Sequence, residues 1–109
     1  MSVTEAYLSF ILDQFSDWGD VSSRRMFGGA GLYRNGKMFG LVSDDVAYLK
    51  VNESNVNEFI TAGSNQFKPY EDKNTVMSYY EIPSEVIEHP DILIEWATRS
   101  LQIQLANTS

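Results

Sequence analysis

The dipeptide Asn35-Gly36 constrains this chain more than any other feature, because it separates two β-prone runs, Gly31-Leu32-Tyr33-Arg34 and Met38-Phe39-Gly40-Leu41-Val42. Both residues tolerate the positive φ that a type I′ turn demands, and the twist of that turn matches the twist of the strands it joins. The pair therefore implies an antiparallel hairpin. Arg25-Met26-Phe27 precedes it and Val46-Ala47-Tyr48-Leu49-Lys50-Val51 follows it, with Asp44-Asp45 marking the next turn. From Ser22 to Val51 the sequence reads as an antiparallel meander.

Helical spacing brackets this region. Ser2-x-x-Glu5 has the form of a capping box, and Val3, Tyr7, Leu8, Ile11, Leu12 and Phe15 recur at three- and four-residue spacing. That helix is expected to stop near Trp18-Gly19-Asp20, where glycine can take the left-handed conformation that closes a helix, and Trp18 to pack against the sheet edge. Glu53 to Ala62 reads as a short helix with Val56, Phe59 and Ile60 on one face, ended by Gly63. Pro69 allows Phe67 to Tyr70 at best an edge strand. Thr75 to Ile82 is β-prone again and is closed by Pro83.

Ser84 to Glu88 predicts one helical turn, and His89-Pro90-Asp91 opens a last helix with proline at an early position, where its missing N–H costs little. Leu93, Ala97, Leu101 and Leu105 form its inner stripe, joined by Trp96. Ile92, Ile94 and Ile103 fall off that stripe, so more than one side of the helix is covered, either by the chain's own elements or by a second copy in a homodimer. The fold class is α+β: an antiparallel sheet of about five strands flanked by N-terminal, middle and C-terminal helices.

With 109 residues, a second core would leave each half marginally small, so residues 1–109 are read as a single domain. A hydrophobic fraction of 43% suffices for a real core. The absence of cysteine excludes disulfides, thiolate catalysis, Cys-ligated zinc and iron–sulfur clusters. The N-terminal residues lack a basic start and Asp13 interrupts the apolar positions, so neither a signal peptide nor a membrane span is expected and the location is read as cytoplasmic.

The net charge of -7 has the wrong sign for a protein whose main task is neutralising phosphates. Between Arg24 and Lys50, however, five basic residues (Arg24, Arg25, Arg34, Lys37, Lys50) stand against two acidic ones (Asp44, Asp45), a local balance of +3. From Asn74 onward Glu81, Glu85, Glu88, Asp91 and Glu95 face only Arg99. This acidic pole is ordinarily a solvated surface that keeps a protein soluble.

Catalytic inventory is thin. His89 is the sole histidine and sits at a helix start, where capping or exposure is its ordinary role, and no second histidine completes a metal site. Asp44-Asp45 and Glu71-Asp72 are adjacent pairs in turns, where solvated charge is the usual explanation. Gly28-Gly29-Ala30-Gly31 lacks the helix that a phosphate loop needs and leads into a strand, so it reads as a bend or bulge. Arg25, Phe27, Tyr33, Arg34 and Lys37 have the interleaved texture of a nucleic-acid surface, although any half-buried sheet requires the same aromatics. Tyr79 and Tyr80 must point to opposite faces of a strand, one to the core and the other to a surface.

Arg25-Met26-Phe27-Gly28-Gly29-Ala30-Gly31-Leu32-Tyr33, Phe39-Gly40-Leu41, Tyr48-Leu49-Lys50, Met77-Ser78-Tyr79-Tyr80-Glu81-Ile82-Pro83 and Trp96-Ala97 occur in that order, and the chain thereby resembles the TfoX/Sxy N-terminal domain family from about Phe15 through Ala106. The resemblance implies a curved antiparallel sheet flanked by helices, no enzyme activity and no cofactor. It also implies a bacterial regulator of competence for DNA uptake, a co-activator whose protein partner is a transcription regulator such as the cyclic-AMP receptor protein. Namesake members carry a second, C-terminal helical domain, and this chain is read as a stand-alone N-terminal domain. The family motif offers no catalytic residue. Arg25, Phe27, Gly28 and Gly29 match it most plainly and, with Tyr80, form the candidate partner-binding surface. Direct nucleic-acid binding through the basic sheet segment and a small-molecule-binding domain are the alternatives.

Overall fold

A computed structural model describes residues 4–26, 28–68 and 78–106 of the chain. The first helix, α1, spans Glu5–Gln14, and its cap is Thr4 rather than Ser2. Thr4 is extended and its hydroxyl oxygen accepts the Tyr7 N–H at 3.2 Å, so Glu5 is the first helical residue and cannot close the capping box expected from Ser2. Ser2 itself lies outside the described residues. The regular helix also ends four residues before Trp18. Turn-like hydrogen bonds carry the chain from Phe15 to Trp18, and the Gly19 N–H then donates to the Phe15 carbonyl with Gly19 at φ +79°.

The sheet is a meander of five antiparallel strands in chain order: β1 Ser22–Met26, β2 Gly29–Arg34, β3 Lys37–Ser43, β4 Val46–Lys50 and β5 Tyr79–Glu81. Asn35 and Gly36 both have positive φ, as a type I′ hairpin requires, and so do Asp44 and Asp45 in the next turn. Phe67 donates its N–H to the Tyr79 carbonyl at 2.8 Å and Gln66 bridges to Tyr80, so the outer edge of β5 is occupied. The expected strand positions Thr75 to Met77, and Pro69 and Tyr70, lie outside the described residues.

The glycine run forms the expected bend between strands, with Gly28 at φ +79° between β1 and β2, and a separate bulge lies in β3. Register pairs Leu32 with Gly40 and then Tyr33 with Met38, leaving Phe39 as the extra residue. Phe39 is fully buried, edge-on to Phe15 at 5.4 Å and to Trp18 at 5.2 Å. Trp18 therefore packs over the middle of the sheet rather than its edge. Arg34 lies above the indole at 4.5 Å and donates to the carbonyls of Gly19 and Trp18 at 3.0 and 3.2 Å.

Two short helices and one long one complete the core: α2 Val56–Thr61, α3 Ser84–Ile87 and α4 Pro90–Ala106. Leu93, Ala97 and Leu101 of α4 join Ile11, Phe15, Leu32, Val42, Leu49 and Phe59 in one cluster on a single face of the sheet. Leu105 departs from the expected stripe and is 43% exposed, whereas Ile103 is buried by the chain's own elements. Two buried polar side chains secure the end of β4: Ser100 and Asn55 both donate to the Lys50 carbonyl, at 2.7 and 3.2 Å. Phe59 on Trp96 at 4.8 Å and the Arg99–Glu58 ion pair at 3.0 Å join α2 to α4.

Glycine is required at two sheet positions for space. A Cβ on Gly29 would overlap the Val42 carbonyl oxygen, and one on Gly40 would lie 2.7 Å from the Tyr48 carbonyl oxygen. Both obstacles are backbone atoms of a neighbouring strand, so relief requires the sheet itself to shift. Gly29→Ala is expected to lower unfolding stability by about 1–3 kcal/mol, as overpacking does; urea denaturation measures this, and an unchanged midpoint would show that β2 can move away from β3.

Candidate functional site

The sequence candidates fall at two edges of the sheet. Arg25 is exposed on the edge strand β1, paired in register with Ala30. Gly28 is exposed in the β1–β2 turn at φ +79°, and Gly29 is buried against β3. Phe27 lies outside the described residues. Tyr80 is on the far edge strand: it pairs with Leu49, which pairs with Gly40, then Leu32, then Ser23 of β1. Four strand spacings, about 19 Å, separate it from β1. Its half-buried ring packs against the core, 6.2 Å from Phe59. Arg25, Gly28 and Gly29 are thus neighbours, and Tyr80 is not brought to them.

Register places Arg24, Gly31, Tyr33, Leu41, Tyr48, Lys50, Tyr79 and Glu81 on the face opposite the main core. Gly31, Leu41 and Tyr79 are buried there, so the centre of this face is closed. Three of the five basic residues of the segment are held against rings: Arg24 over Tyr33 at 5.2 Å, Lys50 over Tyr79 at 5.5 Å and, on the core side, Arg34 over Trp18. The Tyr79 hydroxyl accepts from Gln104 at 3.4 Å. Burial first, and then the neighbouring Tyr33, push the Tyr79 hydroxyl up to about 12 against that hydrogen bond.

A cleft of about 330 Å³ opens at the end of the sheet that carries the β1–β2 and β3–β4 turns. Its walls come from Tyr7 of α1, Asp45 in the turn, the first residues of β4, the residues after α2 (Ala62 to Ser64), Glu81 at the end of β5 and the start of α3. Asp45 takes the Thr4 N–H on one carboxylate oxygen at 2.8 Å and the Thr4 hydroxyl on the other at 3.1 Å, which fixes α1 over the turn. Glu81 accepts from the Asn65 amide at 3.5 Å. The Tyr7 hydroxyl titrates above its ordinary range, through burial first and then through the charges of Asp45 and Glu81. Tyr48 is raised by burial, then by Glu81 and Asp44. Two carboxylates and two tyrosines thus share one negative region.

Sequence reasoning did not single out this cleft. Tyr7 was legible as a stripe residue of α1, Asp45 as a turn residue and Glu81 as part of the acidic pole, but nothing local relates positions 7, 45 and 81. The one available signal was Asp at both central positions of a turn that favours glycine or asparagine. Among the described residues no group of three His, Cys, Asp or Glu side chains is placed to hold a metal ion. Likewise, among those residues no helix is long and apolar enough to cross a membrane. His89 is exposed, with Nδ1 2.7 Å from the Glu85 carbonyl.

A family model described as the TfoX N-terminal domain matches residues 13–103, a span that contains all five strands, α2, α3 and most of α4. No curated protein matches the chain.

The buried hydroxyl of Tyr79 sets an alkaline limit on the fold. An unfolded tyrosine titrates near 10.0, whereas Tyr79 keeps its proton to about 12 in the folded chain. Between those values the folded state holds the extra proton, so stability is complete below pH 10 and falls as pH rises toward 12. Urea denaturation across that interval is expected to show the decline, and Tyr79→Phe to make it shallower; an identical slope in the variant would assign the decline to other groups.

Proposed function

This chain belongs to the TfoX N-terminal domain family, and on that premise we propose that it is a non-enzymatic protein-interaction module of transcription regulation, serving competence for DNA uptake. The match over residues 13–103 is the observation that carries the reading, since it covers the whole sheet and both of its edges. The partner is a protein, in the first instance a transcription regulator such as the cyclic-AMP receptor protein, and the activity requires no cofactor. Location in the cytoplasm, where such a regulator works, belongs to the same proposal.

The charge arrangement favours a protein over a nucleic acid. A net charge of -7 repels phosphate, and the basic segment that could overcome it spends Arg24, Arg34 and Lys50 on internal rings. Leu41 and Tyr79 are buried at the centre of the second face, so among the described residues that centre offers no exposed ring on which bases could stack. Arg25 and Gly28, in contrast, stand exposed at the β1 edge and its turn, and a protein partner can use that edge.

Affinity capture with the tagged chain from its native cytoplasm, with nuclease treatment and at two salt concentrations, tests this. A transcription regulator that survives nuclease is the expected outcome, and recovery of nuclease-sensitive material alone overturns it. Arg25→Ala is expected to weaken that capture several-fold while changing stability by less than about 0.5 kcal/mol, as exposed substitutions do. A large fall in melting temperature would make Arg25 structural instead.

A further inference from the structure

Among the described residues, the wall of the cleft between α1, β4, β5 and α3 contains two carboxylates, Asp45 and Glu81, and no lysine, arginine or histidine. Asp45 spends one acceptor site of each oxygen on Thr4, and a carboxylate offers about four such sites. Glu81 makes one long bond, to the Asn65 amide at 3.5 Å. Neither carboxylate has a cationic partner among the described residues. Both carboxylates lie close enough to the Tyr7 hydroxyl that, after burial, their charges raise its pKa. A volume near 330 Å³ lies at the lower end of ligand sites and suits a side chain better than a nucleotide.

We propose that this cleft receives the guanidinium group of an arginine side chain presented by the protein partner. The inference rests on the protein-interaction reading above and names the chemistry by which that partner is held. A guanidinium is planar and presents five N–H donors in a fork that matches carboxylate geometry, and it is less strongly hydrated than an ammonium, so it enters a half-buried cleft at lower cost. Tyr7 lies in the same wall, so a guanidinium entering the cleft also comes beside an aromatic residue. The position also fits the candidate edge. Arg25, Ala30, Val42 and Ala47 form one cross-strand row, and Ala47 lines the cleft. Three strand spacings, about 14 Å, therefore separate Arg25 from the cleft, within the span of one interface.

The test is titration of the ¹⁵N-labelled full chain with the peptide acetyl-Gly-Arg-Gly-amide, followed by amide chemical shifts. Saturable shifts are expected at residues 45–47, 62–64 and 81–84. Replacing arginine by the neutral isostere citrulline, or the chain by its Glu81→Gln variant, is expected to weaken binding at least about ten-fold, since a hydrogen bond between charged groups is lost. Absence of saturable shifts, shifts confined to other residues, or equal affinity for the citrulline peptide overturns the proposal. The citrulline comparison uses the unaltered chain and so decides even if Glu81→Gln folds poorly. Capture of the nuclease-resistant partner by Glu81→Gln as efficiently as by the unaltered chain also overturns it, while leaving the protein-interaction reading intact. Peptide binding without any captured regulator would instead uphold the cleft chemistry and remove the regulatory role.

Discussion

The single extra residue at Phe39 organises this molecule. By interrupting the register between Leu32 and Tyr33, the bulge turns a ring into the core at the point where the chain leaves α1. Phe39 meets Phe15 and Trp18 edge-on, and Arg34, one strand away, clamps Trp18 and the Gly19 carbonyl from above. Aromatic contacts of this geometry contribute beyond their buried area. They fix the C-terminal end of α1 on the sheet, and the Thr4–Asp45 hydrogen bonds fix its other end. With both ends held, Tyr7 has one place to go, and that place is the wall of the cleft.

Asp45 consequently serves two purposes that pull on its conformation. Its backbone takes the positive φ of a hairpin turn, which a side chain disfavours, while its carboxylate caps the approach to α1 and charges the cleft. A glycine would suit the turn better and do neither of the other things. The same division runs through the sheet. Gly29 and Gly40 give up side-chain burial so that adjacent strands can approach, and the large residues beside them, Leu32, Phe39 and Val42, supply the packing.

Much of the architecture was legible because it depends on neighbours in sequence. Asn35-Gly36 and Asp44-Asp45 identified two turns through the φ angles they tolerate, Gly63 the end of α2, and Pro90 the start of α4. Failures occurred where a local rule met a distant competitor. The capping box at Ser2 lost to Thr4, whose hydroxyl and N–H are held by Asp45, 41 residues on. The stripe of α4 was extended to Leu105, but Ile103 is the residue the fold buries there, while Leu105 is 43% exposed. The glycine run is the bend between β1 and β2 that its residues suggested, but the extra residue at Phe39, opposite Leu32 and Tyr33, had no local signal.

The candidate surface divides the same way. Sequence alone determined the order of elements, which follows from residue type and short spacing, and its ordered motifs pointed to the family. Only the tertiary structure decided that Tyr80 belongs to the opposite edge, that the basic segment is largely occupied with its own aromatics, and that positions 7, 45 and 81 share a cavity. The reason is physical. A hairpin is specified by φ angles and alternation within a few residues, but a cleft is the space left when helices and strands pack, and packing is settled by contacts between residues far apart in the chain.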